Sequence, residues 1–223
     1  MGYEKKSNEH HLVAQAKEIN EMTARTEPFG TILAGVEIIV LPKVYPGGID
    51  SELTSKALGD VTDKKVLDLC TGTGIIAINA ALAGASRVVA VDLNPEAVKN
   101  AKMNVVKLGL GEVEVLEGSL FDPVGNESFD VIAINPPYTD KKPTNKTEIC
   151  FWDDNNNVTR RFFNEYKKHL NPNGRAYLAW ADFGSSELIQ QLAREGNMSL
   201  ELVQSQSSSS GLSTFLVYQL VEF

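Results

Sequence analysis

Cysteine and histidine are scarce in this 223-residue chain: two of the first, Cys70 and Cys150, and three of the second, His10, His11 and His169. Neither type recurs at the spacing of a zinc site, and two distant thiols make no disulfide framework. No metal is expected. The three histidines read as surface residues and Cys150 as inert. Long apolar runs are also missing, so no membrane span is expected. The first thirty residues lack the apolar stretch of a signal peptide. Lys6 stands where a myristoylation signal wants Ser or Thr. Positive charge is short as well. Lys plus Arg is 21 against 29 Asp plus Glu, a net of −8. Such a surface repels phosphate backbones on average. The best candidate for contact with RNA is a small patch of Lys141, Lys142 and Lys146. These absences point to a soluble cytoplasmic protein, in which the Asn-x-Ser/Thr triplets at Asn126, Asn145, Asn157 and Asn197 are chance.

What is present is ordinary globular composition, 43% hydrophobic and 22% charged, in a length that suits one α/β domain. Residues 8–25 form a short helix by pattern, and Thr31 to Leu41 a strand or hairpin closed by Pro42 and Pro46-Gly47-Gly48. Asp50 or Ser51 is placed to cap a helix running to Leu58. Then strands and helices alternate. Strands are expected at Lys65–Leu69, Arg87–Val91, Glu112–Leu116, Phe129–Ile134 and Arg175–Ala181. Helices are expected at 75–83, from Pro95 behind an Asn94 cap, at 157–170 and at 185–195. Two final strands, 199–203 and 214–223, flank a Ser-rich loop at 205–211. Repeated strand–helix units predict a doubly wound, Rossmann-like sheet of seven strands, mostly parallel. The closing hairpin adds an antiparallel C-terminal strand. Residues 1–41 form an N-terminal extension and 42–223 the main domain.

Two motifs carry chemistry. Asn135-Pro136-Pro137-Tyr138 ends the apolar strand Phe129–Ile134. Two prolines lack the N–H donors a ladder needs, so the chain leaves the sheet at Asn135. That puts a side-chain amide and free carbonyls at a strand's C-terminal edge, where open α/β sheets bind ligands. Acceptors there suit an NH₂ group. The second motif, Asp68-Leu69-Cys70-Thr71-Gly72-Thr73-Gly74, joins a strand to a helix. Its glycines permit positive φ and close approach to a ligand. Asp92 ends the following strand, where a carboxylate accepts both hydroxyls of a ribose. Gly72-Thr73-Gly74-Ile75-Ile76-Ala77 also fits a dinucleotide fingerprint, so two ligands compete. Asp68 opposes a pyrophosphate and suits a cation such as the sulfonium and amino group of S-adenosylmethionine.

Val66 to Asn94, together with Asn135-Pro136-Pro137-Tyr138, resembles the class I S-adenosylmethionine-dependent methyltransferases. Within them it resembles the HemK-like branch, which methylates nitrogen in amides, adenine amines and other amines. The resemblance covers about residues 42–223 and includes Tyr45-Pro46-Gly47-Gly48-Ile49-Asp50. It implies that the donor is held by Asp68, Cys70, Thr71, Gly72 and Gly74, by Asp92 and Leu93, by Ser119 and Leu120, and at Asn135. Asn135 and Pro136 would hold the acceptor nitrogen, and Tyr138 would flank its planar group. Cys70 departs from the family's first loop glycine. Ser119 replaces an acid that usually accepts from the donor's adenine amine. Asp153-Asp154-Asn155-Asn156-Asn157 replaces a glycine-rich segment of the glutamine methyltransferases, and reads as a solvated loop. A long N-terminal helical domain is also missing. The leading expectation is an N-methyltransferase acting on a protein side chain or a small amino-containing metabolite. An adenine N6-methyltransferase on RNA or DNA is the alternative, and an NAD-dependent oxidoreductase the third.

Overall fold

The computed structural model describes residues 2–222, with side chains from His10 onward. In chain order it begins with helix α1 (Gly2–Ala24), hairpin strands β1 (Phe29–Leu33) and β2 (Val36–Val40), and α2 (Ile49–Ala57). The alternating part follows: β3 (Lys65–Leu69), α3 (Ile75–Leu82), β4 (Arg87–Asp92), α4 (Pro95–Leu108), β5 (Val113–Glu117) and β6 (Phe129–Ile134). It closes with α5 (Asn157–Glu165), β7 (Leu170–Ala181), α6 (Ser186–Glu195), β8 (Met198–Ser207) and β9 (Thr214–Glu222).

Seven strands form one sheet in the order β5-β4-β3-β6-β7-β9-β8. The first five are parallel, and β9 runs antiparallel between β7 and β8. This is the α/β architecture the alternation predicts. Side chains on a strand point to opposite faces in turn, so each buried strand feeds two cores. Val66, Val88, Ala90, Val131 and Ala133 pack on one face with α3, α4 and the β1–β2 hairpin. Leu67, Leu69, Val89, Val91, Ile132 and Ile134 pack on the other, against Phe162 and Phe163 of α5 and Leu188 and Ile189 of α6.

Two helix starts follow the capping signals, while α2 does not: its cap is Gly48, without a side-chain hydrogen bond, and Asp50 and Ser51 lie inside its first turn. Asn94 accepts from the Glu96 N–H at 3.1 Å ahead of Pro95, and Ser185 accepts from the Leu188 N–H at 3.2 Å. The hairpin turn is Ala34-Gly35, both at positive φ, which is the primed turn that matches strand twist. The free edge of β2 is satisfied by two side chains of α4. Asn100 Oδ1 accepts from the Leu41 N–H (2.7 Å), Asn104 Oδ1 from the Ile39 N–H (2.9 Å), and both amides donate to the Ile39 carbonyl. Both asparagines are fully buried. Asn104 also donates to the Thr73 carbonyl at 3.0 Å, tying the hairpin to the loop after β3.

Four elements differ from expectation. α1 begins at Gly2 rather than residue 8, and β7 begins at Leu170 rather than Arg175. The Ser-rich segment continues β8 to Ser207, pairing Ser205 with Leu216 and Ser207 with Thr214 after a bulge near Val203. Ladder bonds are made by backbone, so polar side chains on an exposed edge strand do not prevent them. The expected helix 157–170 tightens into a 3₁₀ turn at Tyr166–His169.

Candidate active site

β3 and β6 are neighbours, but the chain leaves them toward opposite flanks of the sheet. That reversal opens a crevice at their C-terminal ends. A cavity of about 300 Å³ fills it. Its wall takes Cys70 to Thr73 from the loop after β3, Asp92 to Asn94 from the end of β4, and Asn135 to Tyr138 from the end of β6. Asp50 and Ser51 of α2, Gln15 and Glu18 of α1, and Ile149 to Asp154 complete it.

The glycine loop is a run of left-handed turns, with φ of +61° at Cys70, +57° at Gly72 and +87° at Gly74. At Cys70 a side chain occupies a conformation glycine would adopt without penalty, at a cost of roughly 1–2 kcal/mol. Asp68 is fully buried behind the loop and is not on the cavity wall. Its Oδ2 accepts from Thr71 Oγ1 (2.5 Å) and from the Ala77 N–H (3.2 Å). Its Oδ1 has no partner among the described residues. Burial pushes this carboxyl up to about 7, against the pull of those two hydrogen bonds. Asp92 faces the cavity. It accepts from the Gly72 N–H at 2.8 Å and the Asn94 N–H at 2.9 Å, and burial raises its carboxyl above the ordinary range. Leu93 beside it is more than half exposed.

Ser119 and Leu120 are not on the cavity wall. Ser119 Oγ accepts from Arg161 Nη1 at 2.9 Å, and the same guanidinium pairs with Asp122 and Glu165. Leu120 is buried in the second core.

At the other end of the cavity three side chains close a triangle. Asn135 Nδ2 donates to Asp50 Oδ2 at 3.1 Å and to Ser51 Oγ at 3.3 Å. The Tyr138 hydroxyl lies 3.0 Å from the same Asp50 oxygen and in hydrogen-bond contact with Asn135 Oδ1. The Tyr138 ring meets Trp180 and Phe183 edge to face, at 5.6 and 5.9 Å between centroids. Burial and the nearby Asp50 charge hold its phenol well above the usual range, so it stays a donor.

Helix α1 lies along the cavity. Its buried stripe is His11, Gln15, Ile19 and Met22, a helical spacing. His11 stacks on Phe183 at 4.4 Å and shares a hydrogen bond with Ser213. The Gln15 amide pairs with Thr139 Oγ1 at 3.0 Å, and Ile19 and Met22 pack with Phe151 and Trp152. His11 is therefore not a surface residue. Nor is His169, which stacks on Phe121 at 4.5 Å. Asp153 is not solvated either. It is 3% exposed and accepts from the Val158 and Thr159 N–H groups, where α5 begins. Lys141 of the basic patch sits over the Trp152 ring at 3.4 Å. Sequence reasoning missed Gln15 and Glu18, whose polarity hid a docked helix face. It took Asp50 for a cap.

Glu18 is a test of that docking. Burial first, then the Asp50 and Glu21 charges, raise its carboxyl from 4.5 to about 7. Between those values the folded chain keeps a proton that the unfolded chain has lost. Its contribution is complete below about 4.5 and fades as pH rises through about 7. Denaturant melts of Glu18→Gln are expected to show a shallower fall in stability between about pH 5 and 7. A residual slope of the same sign will persist from Asp68. A slope equal to that of the unsubstituted chain would place Glu18 in solvent.

The family match and the relatives place the chain in a class: it is a class I, S-adenosylmethionine-dependent N-methyltransferase of the HemK-like branch. The methyltransferase small domain matches residues 42–198, and the chain belongs to that family. A relative in Methanocaldococcus jannaschii, provisionally named a protein N5-glutamine methyltransferase, is 36% identical over 167 residues, covering 72% of this chain and 84% of that one. The release factor glutamine methyltransferase of Borreliella burgdorferi is 28% identical over 184 residues, covering 76% of this chain and 64% of its own length. The chain thus spans less than two thirds of that bacterial relative. Among solved structures, the Thermus thermophilus 16S rRNA N2 G1207 methyltransferase, in complex with AdoMet and guanosine, shares the fold. Its TM-score is 0.68 at 21% identity, over 88% of this chain and 50% of that one. No helix among the described residues is long and apolar enough to cross a membrane.

Proposed function

We propose that the chain methylates the side-chain amide nitrogen of a glutamine in a protein, with S-adenosylmethionine as donor. The observation that carries this reading is the Asn135 carboxamide at the exit of β6, sharing one cavity with Asp92 and the glycine loop. The relatives' names support a glutamine amide. The wall supports a protein over a nucleic acid, because its described residues include no Lys, Arg or His while Glu18, Asp50, Asp92, Asp153 and Asp154 are all on it.

The residues fit the donor. A Cβ added at Gly72 would have only the Tyr45 carbonyl oxygen within 4 Å, at 3.9 Å, so the glycine leaves room rather than avoiding a clash. Thr71, Gly72 and Cys70 would hold the methionine end, and Asp92 with Leu93 the ribose. Gly74 would shape the loop, and Asp68 would stabilise it from behind. Ser119 would reach the adenine only through a change in the Arg161 contacts, and Leu120 only by leaving the second core. The donor supplies a methyl group already activated on a sulfonium.

The protein's own part is positioning. An amide nitrogen has its lone pair conjugated with the carbonyl. Asn135 Oδ1 and the Pro136 carbonyl would accept its two N–H groups, favour a pyramidal nitrogen and aim its lone pair. They would also stabilise the positive charge that develops on it, and the methylated nitrogen would release its surplus proton to solvent as the product leaves. Asn135 Oδ1 already accepts from Tyr138, so a substrate N–H would compete with the phenol proton for that oxygen. The buried aromatic wall of Phe151, Trp152 and Tyr138 excludes water.

The test is incubation with methyl-labelled donor and, separately, a recombinant bacterial release factor, ribosomal protein uL3 (the protein in the name of a further glutamine methyltransferase relative) and total RNA. Label is expected in protein, on a glutamine found by mass spectrometry of the digested product. Label confined to RNA adenine would replace this reading with the nucleic-acid one. Calorimetric binding of NAD in preference to S-adenosylmethionine would overturn both.

A further inference from the structure

We propose that Asp50 is the positioning residue that sets the direction of the Asn135 carboxamide, an inference that rests on the amide-methylation reading above. Asp50 stands in the first turn of α2, 85 residues before Asn135, and is 3% exposed. Its Oδ1 accepts from the Ser51 N–H at 2.8 Å. Its Oδ2 is shared by Asn135 Nδ2 (3.1 Å) and the Tyr138 hydroxyl (3.0 Å).

A carboxamide can turn end for end with little change in shape, and only its hydrogen bonds decide which end faces where. With the end facing Asp50 fixed as N–H, the carbonyl faces the other way. Turned over, Asn135 would present its oxygen to a carboxylate oxygen, a contact with no hydrogen between two acceptors. Ser51 Oγ at 3.3 Å, an acceptor for the second N–H, supports the same orientation. A charged acceptor makes the stronger hydrogen bond, so a carboxylate enforces the direction better than a neutral group.

Tyr138 gives Asp50 a second use. The phenol has one proton and two acceptors in reach, Asn135 Oδ1 and Asp50 Oδ2. When a substrate N–H claims Asn135 Oδ1, the phenol proton can rotate to Asp50 without being lost. Without the carboxylate, Tyr138 keeps competing for the oxygen that must hold the substrate. Asp50 touches neither substrate nor donor in this scheme; it acts through Asn135 and Tyr138.

The experiment is a double-mutant cycle of Asp50→Asn and Asn135→Ala in the full chain. A recombinant bacterial release factor is the acceptor, with calorimetric S-adenosylmethionine affinity and melting temperature as controls. Asp50→Asn alone is expected to lower kcat about 10- to 100-fold, the range of supporting-shell substitutions. Donor affinity is expected to stay within about threefold. On the Asn135→Ala background the same change is expected to cost less than about threefold further, because residues that act as one unit are not additive. Full additivity would overturn the proposal and leave the methylation reading standing. A normal kcat for Asn135→Ala would overturn both.

A second measurement needs no acceptor. In nitrogen-15 NMR spectra, the Asn135 side-chain N–H₂ signals are expected downfield and slow to exchange. In Asp50→Asn they are expected to move upfield and exchange faster. Unchanged Asn135 signals in that variant would sink the proposal whatever the true acceptor is.

Discussion

Asn135→Ala is expected to lower kcat by about a thousandfold while donor affinity changes by less than about threefold. The magnitude is that of removing one preorganised hydrogen-bond group facing developing charge, roughly 3–4 kcal/mol. The split between the two constants follows from position. Asn135 stands at the end of β6, clamped by Asp50 and Ser51, while the glycine loop and Asp92 stand on β3 and β4. The substitution also removes a partner from the Tyr138 hydroxyl, which then has Asp50 alone. That leaves no buried group unpaired, so stability is expected to fall by only about 1 kcal/mol. Steady-state kinetics on the accepted protein, calorimetry with S-adenosylmethionine and a urea melt check the three parts. Equal losses in kcat and donor affinity would mean that Asn135 shapes the whole cavity rather than holding a substrate nitrogen.

Much of this fold is legible along the chain. Lys65–Leu69 and Phe129–Ile134 are strands with the expected bounds, because both faces of a central parallel strand are buried and its apolar run is unbroken. Asn94-Pro95 opens α4 where a cap and a first-turn proline predict it. The cavity at the exits of β3 and β6 follows from the same pattern, since a sheet whose order reverses must part there.

What stays hidden is contact between distant polar residues. Asp50 reads locally as a cap, and nothing in the sequence next to it says that its Oδ2 faces Asn135 and Tyr138. Asn100 and Asn104 carry the hydrogen bonds that β2 lacks on one edge, and nothing in the sequence beside them marks that role. The buried stripe of α1 contains His11 and Gln15, so a hydrophobicity count finds no face there. In each case burial is offset by a specific hydrogen bond, and specific hydrogen bonds leave no periodic trace. Asp68 shows the converse. The sequence marks it as a residue of the ligand loop, and its geometry makes it the loop's own anchor, through Thr71 and Ala77.

The loop's dependence on glycine leads to the second large effect. Gly74→Ala is expected to destabilise the protein by about 3 kcal/mol. Two costs add. The residue sits at φ +87°, where an L side chain costs roughly 1 kcal/mol or more. An added Cβ would also stand 3.1 Å from the Ala101 Cβ and 3.3 Å from its Cα. Ala101 is fully buried on α4, whose neighbouring Asn104 holds both the hairpin and Thr73, so α4 cannot retreat freely. Overpacking of this kind costs about 1–3 kcal/mol. Gly72→Ala isolates the first cost. Its φ is also positive, but the nearest atom to its added Cβ is 3.9 Å away. That variant is expected to lose only about 1 kcal/mol of stability while weakening donor binding, since the methyl occupies space on the cavity wall. Urea melts of the two variants separate strain from crowding. Ala101→Gly placed behind Gly74→Ala is expected to recover part of the loss, beyond its own helix penalty of about 1 kcal/mol. Equal destabilisation by the two loop variants would show that φ alone sets the cost and that the β3–α3 turn does not press on α4.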